Sequence, residues 1–348
     1  MDGPSMRCCR LLGIFLLRDY SYGVILVALS WVLAIDTESL CAQGPARAVD
    51  SIGLRSVTAS RIEPSGMQAL VAIEGSLRVV SKGAETNRAE TKDPVRYESA
   101  RSFPISRSIQ SPFSQINSLD FSPDASRLLI AGGDPGQLGG VECIEWPSST
   151  RLGLFQTEDQ GRAIGDVVTE VDWFPGGSQW VESHWSGWVL VRRIDGTVRV
   201  KFGGHTGPVL SAMAWDEQTA ISSGLDQTIK VWRVADGEQV RSLVNHTGAV
   251  VQLLGYDGPS DKRLLVSAGR DRTIRLWDPS IGRLIRFVKL PEVPVRMELS
   301  DTGLIVALEN GSICEVSLPS LRIDRTVSVS DRPIASMVQT SRGVWWFW

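Results

Sequence analysis

A pattern that recurs about every 40 residues constrains the fold of this chain more than any other feature. One copy begins at His205, continues through a run of apolar and small residues to Asp226, and ends at Trp232. The next copy follows directly and has the same residue types at His246, Asp271 and Trp277. A repeat of this length is one structural unit that buries its apolar face only against its neighbours. The chain is therefore predicted to be an array of similar units.

Two series of marker residues extend this register along the chain. The equivalents of the terminal tryptophan are taken as Val80, Trp146, Val191, Trp232, Trp277 and Val316. A second series is taken to close the first strand of each unit, at Ile62, Phe121, Trp173, Trp215, Tyr256 and Leu299. Between the markers, short alternating apolar runs are broken by Gly, Asp, Asn and Pro, a pattern typical of antiparallel strands joined by tight turns. Six units of strands are thus predicted, without helices.

The segments 204–243 and 245–287 resemble WD repeats, down to the Gly-His-like start and the terminal Trp or Trp-Asp. This resemblance implies an all-β fold, a β-propeller. A seventh unit begins with strands predicted over 334–339 and 343–348, after which the chain ends, so we expect seven blades with an incomplete, three-stranded last one. Since WD propellers often close by pairing strands from both termini, residues near 48–54 are expected to complete it.

The N-terminal segment has the organisation of a secretory signal peptide. Arg7, Arg10 and Arg18 precede an uncharged apolar run over 23–35, and small residues near Ala42 offer a cleavage site. The run is shorter than the roughly 20 residues that a membrane-spanning helix needs. We therefore predict a signal peptide over 1–42, a propeller over 43–348 and an exported protein, periplasmic or extracellular. An uncleaved membrane anchor is the alternative.

Composition narrows the partners and the chemistry. The formal net charge of −3 and the pI of about 5.8 provide no basic field for nucleic acid. Beyond residue 42 only Cys143 and Cys314 remain, which we interpret as free buried thiols of different blades. The polar stretch over 82–112 lacks apolar periodicity and is predicted to be a surface loop.

The WD resemblance implies that two sets of side chains are linked by hydrogen bonds for structural reasons. These sets are His205, Ser222, Asp226 and Trp232, and His246, Ser267, Asp271 and Trp277. Ser, His and Asp in one cluster also suggest a hydrolase triad, but their recurrence with the repeat favours the structural interpretation. The third histidine, His184, has no Cys or second His at ligand spacing, and no phosphate-binding glycine loop is present. We therefore expect no catalytic residues, metal or cofactor.

The predicted function is a non-enzymatic scaffold that binds a protein or peptide. We expect three of Trp173, Trp180, Trp185 and Trp188 to lie in the core and Trp185 to be exposed. Exposed aromatic residues are favoured at binding surfaces. The predicted partner-binding residues are Leu225, Gln227, Arg270, Arg272 and Trp185.

Two alternatives remain open. One is a propeller enzyme of the lactonase or quinone-dependent dehydrogenase type, which would need a ring of polar groups in the central channel. Ser, Ala and aliphatic residues are expected to dominate the first strands, which disfavours it. The other is a permanently incorporated component of an envelope assembly.

Overall fold

A computed structural model describes most of the chain from residue 57 onward. The described residues are 57–62, 68–73, 75–80, 96–100, 104–134, 136, 138–156, 158–159, 162–163, 166–258, 262–339 and 344–348. They belong to one unit, residues 49–348. The predicted signal peptide and the segment 48–54 lie outside the described residues. Among the described residues no helix is long and apolar enough to cross a membrane.

Seven blades form a β-propeller, which confirms the predicted fold class. Blades 1 and 7 take up the strands β1 (Val57–Ile62), β2 (Ala69–Ile73), β3 (Ser76–Val80), β4 (Arg96–Ser99) and β5 (Ile105–Gln110). Blade 2 consists of β6 (Ile116–Phe121), β7 (Arg127–Gly133), β8 (Gly139–Glu145) and β9 (Arg151–Gln156). A two-stranded hairpin, β10 (Glu158–Asp159) and β11 (Arg162–Ala163), follows it.

The next three blades are regular four-stranded antiparallel sheets. Blade 3 consists of β12 (Val168–Trp173), β13 (Gln179–His184), β14 (Val189–Arg193) and β15 (Val198–Phe202). Blade 4 consists of β16 (Val209–Asp216), β17 (Thr219–Gly224), β18 (Ile229–Arg233) and β19 (Gln239–Leu243). Blade 5 consists of β20 (Val250–Asp257), β21 (Arg263–Gly269), β22 (Thr273–Asp278) and β23 (Arg283–Lys289).

The last two blades differ in completeness. Blade 6 has four strands, β24 (Pro294–Ser300), β25 (Gly303–Leu308), β26 (Ser312–Ser317) and β27 (Arg322–Ser328). Blade 7 has three, in the order β28 (Met337–Gln339), β29 (Val344–Phe347) and β4. The first strand of each blade contacts the first strand of the next, and β28 contacts both β24 and β1. The ring of inner strands is therefore closed.

Blade 7 closes in a way that the sequence analysis did not anticipate. Its third strand is β4, which runs parallel to β29, with Arg96 beside Val344 and Ser99 beside Phe347. The chain then returns to blade 1, where β5 forms the fourth strand by pairing with β3. The segment 82–112, predicted as one surface loop, thus contributes strands to two blades where the structure describes it. Polar side chains fit there because β5 is an outer strand with alternate residues exposed.

The burial pattern follows from the stacking of blades. The second strand of a blade is covered on both faces, so all six residues of β25 are buried. The fourth strand lies at the outer rim, and β27 alternates between exposed and partly buried residues. A continuous apolar run is therefore the mark of an inner position, while alternation marks the rim. Cys143 and Cys314 are both buried and free, in blades 2 and 6 as predicted.

A recurrent β-bulge fixes the register of the third strand. In blade 4 the pairing with the fourth strand shifts between Val231 and Trp232, and the same shift precedes Trp277 in blade 5. In blades 2 and 3 the shift precedes Ile144 and Arg192. The predicted equivalents Trp146 and Val191 were therefore wrong. The correct residues escaped notice because an isoleucine and an arginine replace the tryptophan.

Candidate functional site

The predicted set of blade 4 lies where the connection from blade 3 meets the turn between β17 and β18. His205 Nδ1 lies 2.9 Å from Asp226 Oδ2, and His205 Nε2 lies 2.9 Å from Ser222 Oγ. The backbone N–H of Thr206 also donates to Asp226. A neutral imidazole satisfies both contacts, since Nδ1–H donates to the carboxylate and Nε2 accepts from the hydroxyl. Trp232 does not complete the set, because its Nε1 has no acceptor among the described residues.

The set of blade 5 is more complete. His246 bridges Asp271 Oδ2 at 2.9 Å and Ser267 Oγ at 2.7 Å, and Trp277 Nε1 donates to the same Oγ at 2.9 Å. Burial lowers the pKa of His246 and outweighs the Asp271 carboxylate, which raises it. Burial raises the pKa of Asp271, but hydrogen bonds from Thr273, Thr247 and His246 bring it below its ordinary value.

Both sets link strands and are closed to substrate. Ser222 and Ser267 are fully buried, so neither hydroxyl can reach an external carbonyl group. Each histidine connects the loop entering a blade to that blade's second strand and turn. The geometry is therefore that of a support for the turn between the second and third strands.

Blade 3 carries a charged network at the same place. By strand register, Glu182 occupies the position of Ser222, and Arg192 that of Trp232. Glu182 accepts from Trp180 Nε1 at 2.9 Å and from Arg192 Nε at 2.9 Å. In blade 3 a carboxylate, Glu182, thus lies in the buried second strand, whereas in blades 4 and 5 the carboxylates Asp226 and Asp271 lie in the turn. Sequence reasoning missed this network, although polar residues in an otherwise buried second strand were a visible signal.

His184 sits at the centre of this network. Its Nδ1 lies 3.1 Å from Asp166 Oδ2, and its Nε2 lies 3.3 Å from Glu182 Oε1. The imidazole is fully buried. Burial lowers the pKa of His184, but hydrogen bonds and charge from Asp166 and Glu182 outweigh it, so the pKa lies above its ordinary value. Among the described residues no group of three or more His, Cys, Asp or Glu can hold a metal ion.

The tryptophan cluster of blade 3 divides into a buried and an exposed pair. Trp173 and Trp180 are buried and pack edge to face with ring centroids 5.5 Å apart. Trp185 is 42% exposed and Trp188 is 37% exposed. The prediction of three core tryptophans was therefore wrong, because Trp188 lies in the turn and packs beneath Lys201, whose Nζ is 3.9 Å from the ring centroid.

The predicted partner-binding residues all lie in turns between second and third strands. We call the side of the propeller that carries these turns the turn face. Trp185 belongs to the turn of blade 3, Leu225 and Gln227 to that of blade 4, and Arg270 and Arg272 to that of blade 5. Arg270 also reaches the turn of blade 6, where its Nη2 lies 3.6 Å from Glu309 Oε1. Leu225 is partly buried, and the other four predicted residues are exposed.

The central channel departs most from expectation. The inner strands surround a cavity of about 100 Å³ there. Its lining includes the charged side chains of Arg61, Asp120, Glu170, Asp172, Arg296 and Glu298. The small and aliphatic residues expected in these strands are present, but that expectation missed the charged side chains that converge on the channel. Asp120 and Asp172 directly precede the aromatic markers of blades 2 and 3, so a shared charged position was visible in the sequence.

The channel carboxylates link neighbouring blades. Asp120, Glu170 and Asp172 each accept a hydrogen bond from a backbone N–H of the next blade's inner strand, at 2.9, 3.0 and 2.8 Å respectively. Asp120 also pairs with Arg61 Nη2 at 2.7 Å. Gln252 links blades 5 and 6 in a similar way. Its Oε1 accepts the Met297 N–H at 2.7 Å, and its Nε2 donates to the Met297 carbonyl at 2.9 Å.

Burial in the channel disfavours ionised carboxyl groups. It raises the pKa of Glu170 to about 7, against the lowering effect of hydrogen bonds from Ser211 and Ala212. Burial and the nearby Asp120 charge raise the pKa of Asp172 well above its ordinary range. The inner ring therefore binds protons more tightly than the same groups in an unfolded chain.

Comparison with known families agrees with the regular part of the ring. Residues 196–233 and 237–278 match the family model described as WD domain, G-beta repeat. The comparison with curated proteins found no match. The two matched segments cover the last strand of blade 3, all of blade 4 and the first three strands of blade 5. The similarity to WD repeats thus falls on the blades that carry the two histidine sets, within a seven-bladed propeller.

Proposed function

We propose that this protein is an exported, non-enzymatic scaffold that binds a protein or peptide on its turn face. The observation that carries the proposal is the exposure of Trp185, Gln227, Arg270 and Arg272 on the turns of three consecutive blades. Tryptophan and arginine are the residues that most often dominate binding energy at protein interfaces. WD repeats of the kind matched here generally mediate contacts between proteins.

Rigid support beneath the turns favours this role. The buried histidine sets of blades 4 and 5 hold the turns from below, so their exposed side chains are presented without large ordering costs on binding. The buried serines of these sets and the linked carboxylates of the channel act between strands of the protein itself. The groups with perturbed pKa values in these two clusters are thus accounted for by structural contacts.

Partner capture with charge-reversed variants tests the binding face. The full chain carrying Arg270→Glu and Arg272→Glu is compared with the wild type in cross-linking and affinity capture from the native host. The matched control carries Arg283→Glu and Arg322→Glu, two exposed arginines on the opposite side, where third strands turn into fourth strands. We expect the control to retain the wild-type partner and the turn-face variant to lose it. Equal capture by all three proteins would contradict the proposed face.

Export is tested separately. The proposal rests on the basic and apolar N-terminal pattern over 1–42. Cell fractionation of the full chain, with N-terminal sequencing of the exported product, should give a new terminus near Ala42. A product that stays in the cytoplasm with Met1 or Met6 at its terminus would contradict export but leave the binding face untouched.

A further inference from the structure

The contacts of His184 differ in kind from those of the other two histidines. In blades 4 and 5 the imidazole faces one carboxylate and one serine hydroxyl, and the hydroxyl can donate to the ring. In blade 3 both ring nitrogens face carboxylate oxygens, of Asp166 and of Glu182. A carboxylate only accepts hydrogen bonds, so both contacts require an N–H on the ring. This arrangement selects the imidazolium form.

Both carboxylates are held in the ionised state. Burial raises the pKa of Glu182, but donors from His184, Arg192 and Trp180 bring it below its ordinary value. Burial likewise raises the pKa of Asp166, and donors from His184 and Ser186 bring it below the ordinary value. Among the residues that the structure describes, the titratable groups seen to contact the ring are thus Asp166, Glu182 and, beyond Glu182, Arg192. Their charges cancel only when His184 carries its proton.

The same network holds the exposed tryptophan turn. Asp166 Oδ1 accepts the backbone N–H of Ser186 at 3.1 Å, and Asp166 Oδ2 accepts the Ser186 hydroxyl at 2.5 Å. The N–H of His184 donates to the carbonyl of Trp188 at 2.9 Å, and the N–H of Trp185 donates to the carbonyl of Val167 at 2.9 Å. The carboxylate that contacts His184 therefore also fixes the turn that presents both tryptophans.

We infer that protonated His184 is the support of the Trp185–Trp188 turn, and that loss of this proton at alkaline pH releases the turn and weakens partner binding. The inference rests on the proposed function in its last step only. Without the proton, one ring nitrogen directs a lone pair at a carboxylate in a fully buried site, where bulk solvent does not screen the repulsion. The turns of blades 4 and 5 do not share this dependence, because their histidines face a hydroxyl.

Nuclear magnetic resonance of the full chain with ¹⁵N-labelled histidine tests the charge state. The chain has three histidines, so His205 and His246 serve as internal references. At pH 7 we expect His184 to give imidazolium shifts on both nitrogens and to titrate above its ordinary pKa, while His246 titrates below its ordinary pKa. A neutral imidazole at His184 at pH 7 would overturn the inference. This readout needs no partner, so it is independent of whether the proposed binding face is right.

Two further measurements test the link to the turn. Asp166→Asn should lower the proton affinity of His184 at least tenfold, whereas Asp226→Asn in blade 4 should leave it unchanged. Amide hydrogen exchange over 185–188 in the wild type should accelerate above the His184 midpoint, and exchange over 270–272 should show no step there. If exchange over 185–188 does not accelerate above the His184 midpoint, the support role is refuted, even if His184 is charged.

Discussion

Replacing Glu170 with glutamine should remove part of the pH dependence of stability. The side chain lines the channel, and its Oε2 accepts the Ala212 N–H at 3.0 Å. Burial raises its pKa from 4.5 to about 7. At roughly 1.4 kcal/mol per pKa unit, this shift corresponds to at most about 3 kcal/mol of unfolding free energy. Because the folded-state pKa is raised, this contribution is complete below pH 4.5 and is lost as the pH rises to about 7.

The assay is urea-induced unfolding of the wild type and of Glu170→Gln at pH 5 and pH 8. Glutamine keeps an acceptor for the Ala212 N–H and cannot ionise. From pH 5 to pH 8 the unfolding free energy of the wild type should therefore fall by up to about 3 kcal/mol more than that of the variant. Glu145→Gln, which alters an exposed carboxylate at the end of β8 in blade 2, is the matched control and should give no such gain. A difference between wild type and Glu170→Gln that is the same at both pH values would refute the reasoning.

Three further predictions probe the hydrogen-bond networks. Ser267→Ala should destabilise the protein by about 1–3 kcal/mol more than Ser222→Ala in urea unfolding, because it leaves an indole N–H as well as an imidazole without a partner; equal losses would contradict the assigned contacts. Arg192→Met should cost about 3–5 kcal/mol by removing the cation beside buried Glu182, and an unchanged unfolding midpoint would show that the pair contributes nothing. Asp226→Asn should weaken the acid dependence of stability, since the pKa of this carboxyl is lowered and its contribution is lost as the pH falls below its ordinary value of 3.8; parallel acid titrations of variant and wild type would contradict this.

The periodic features of the chain could be predicted from the sequence. Strand spacing and buried apolar runs repeat in each blade, because every blade packs between two neighbours. The β-bulge that recurs in the third strand was only partly visible in the sequence. The residue that follows it is Trp232 in blade 4 and Arg192 in blade 3. A position defined by backbone pairing leaves no unique residue type to recognise.

The charged networks could not be predicted from repeat matching, because they lie where the repeats differ. His184 and Glu182 replace the glycine and serine of blade 4, and only the folded arrangement brings Asp166 into contact with His184. The channel carboxylates were missed for another reason. Asp120 is the only acidic residue of β6, Glu170 and Asp172 stand two residues apart in β12, and the cluster arises when consecutive blades place these strands around one axis.

The path of β4 has a consequence for folding during synthesis. Residues 96–99 lie early in the chain, yet their strand partner is Val344–Phe347. In blade 1, β1, β2 and β3 can pair as they are synthesised. The strand β4, between β3 and β5, can pair with β29 only after more than two hundred further residues have been synthesised. Forming this contact carries the loop-closure cost of long-range pairing. Ring closure is therefore expected to be a late, slow event that locks the earliest and latest parts of the propeller together in one step.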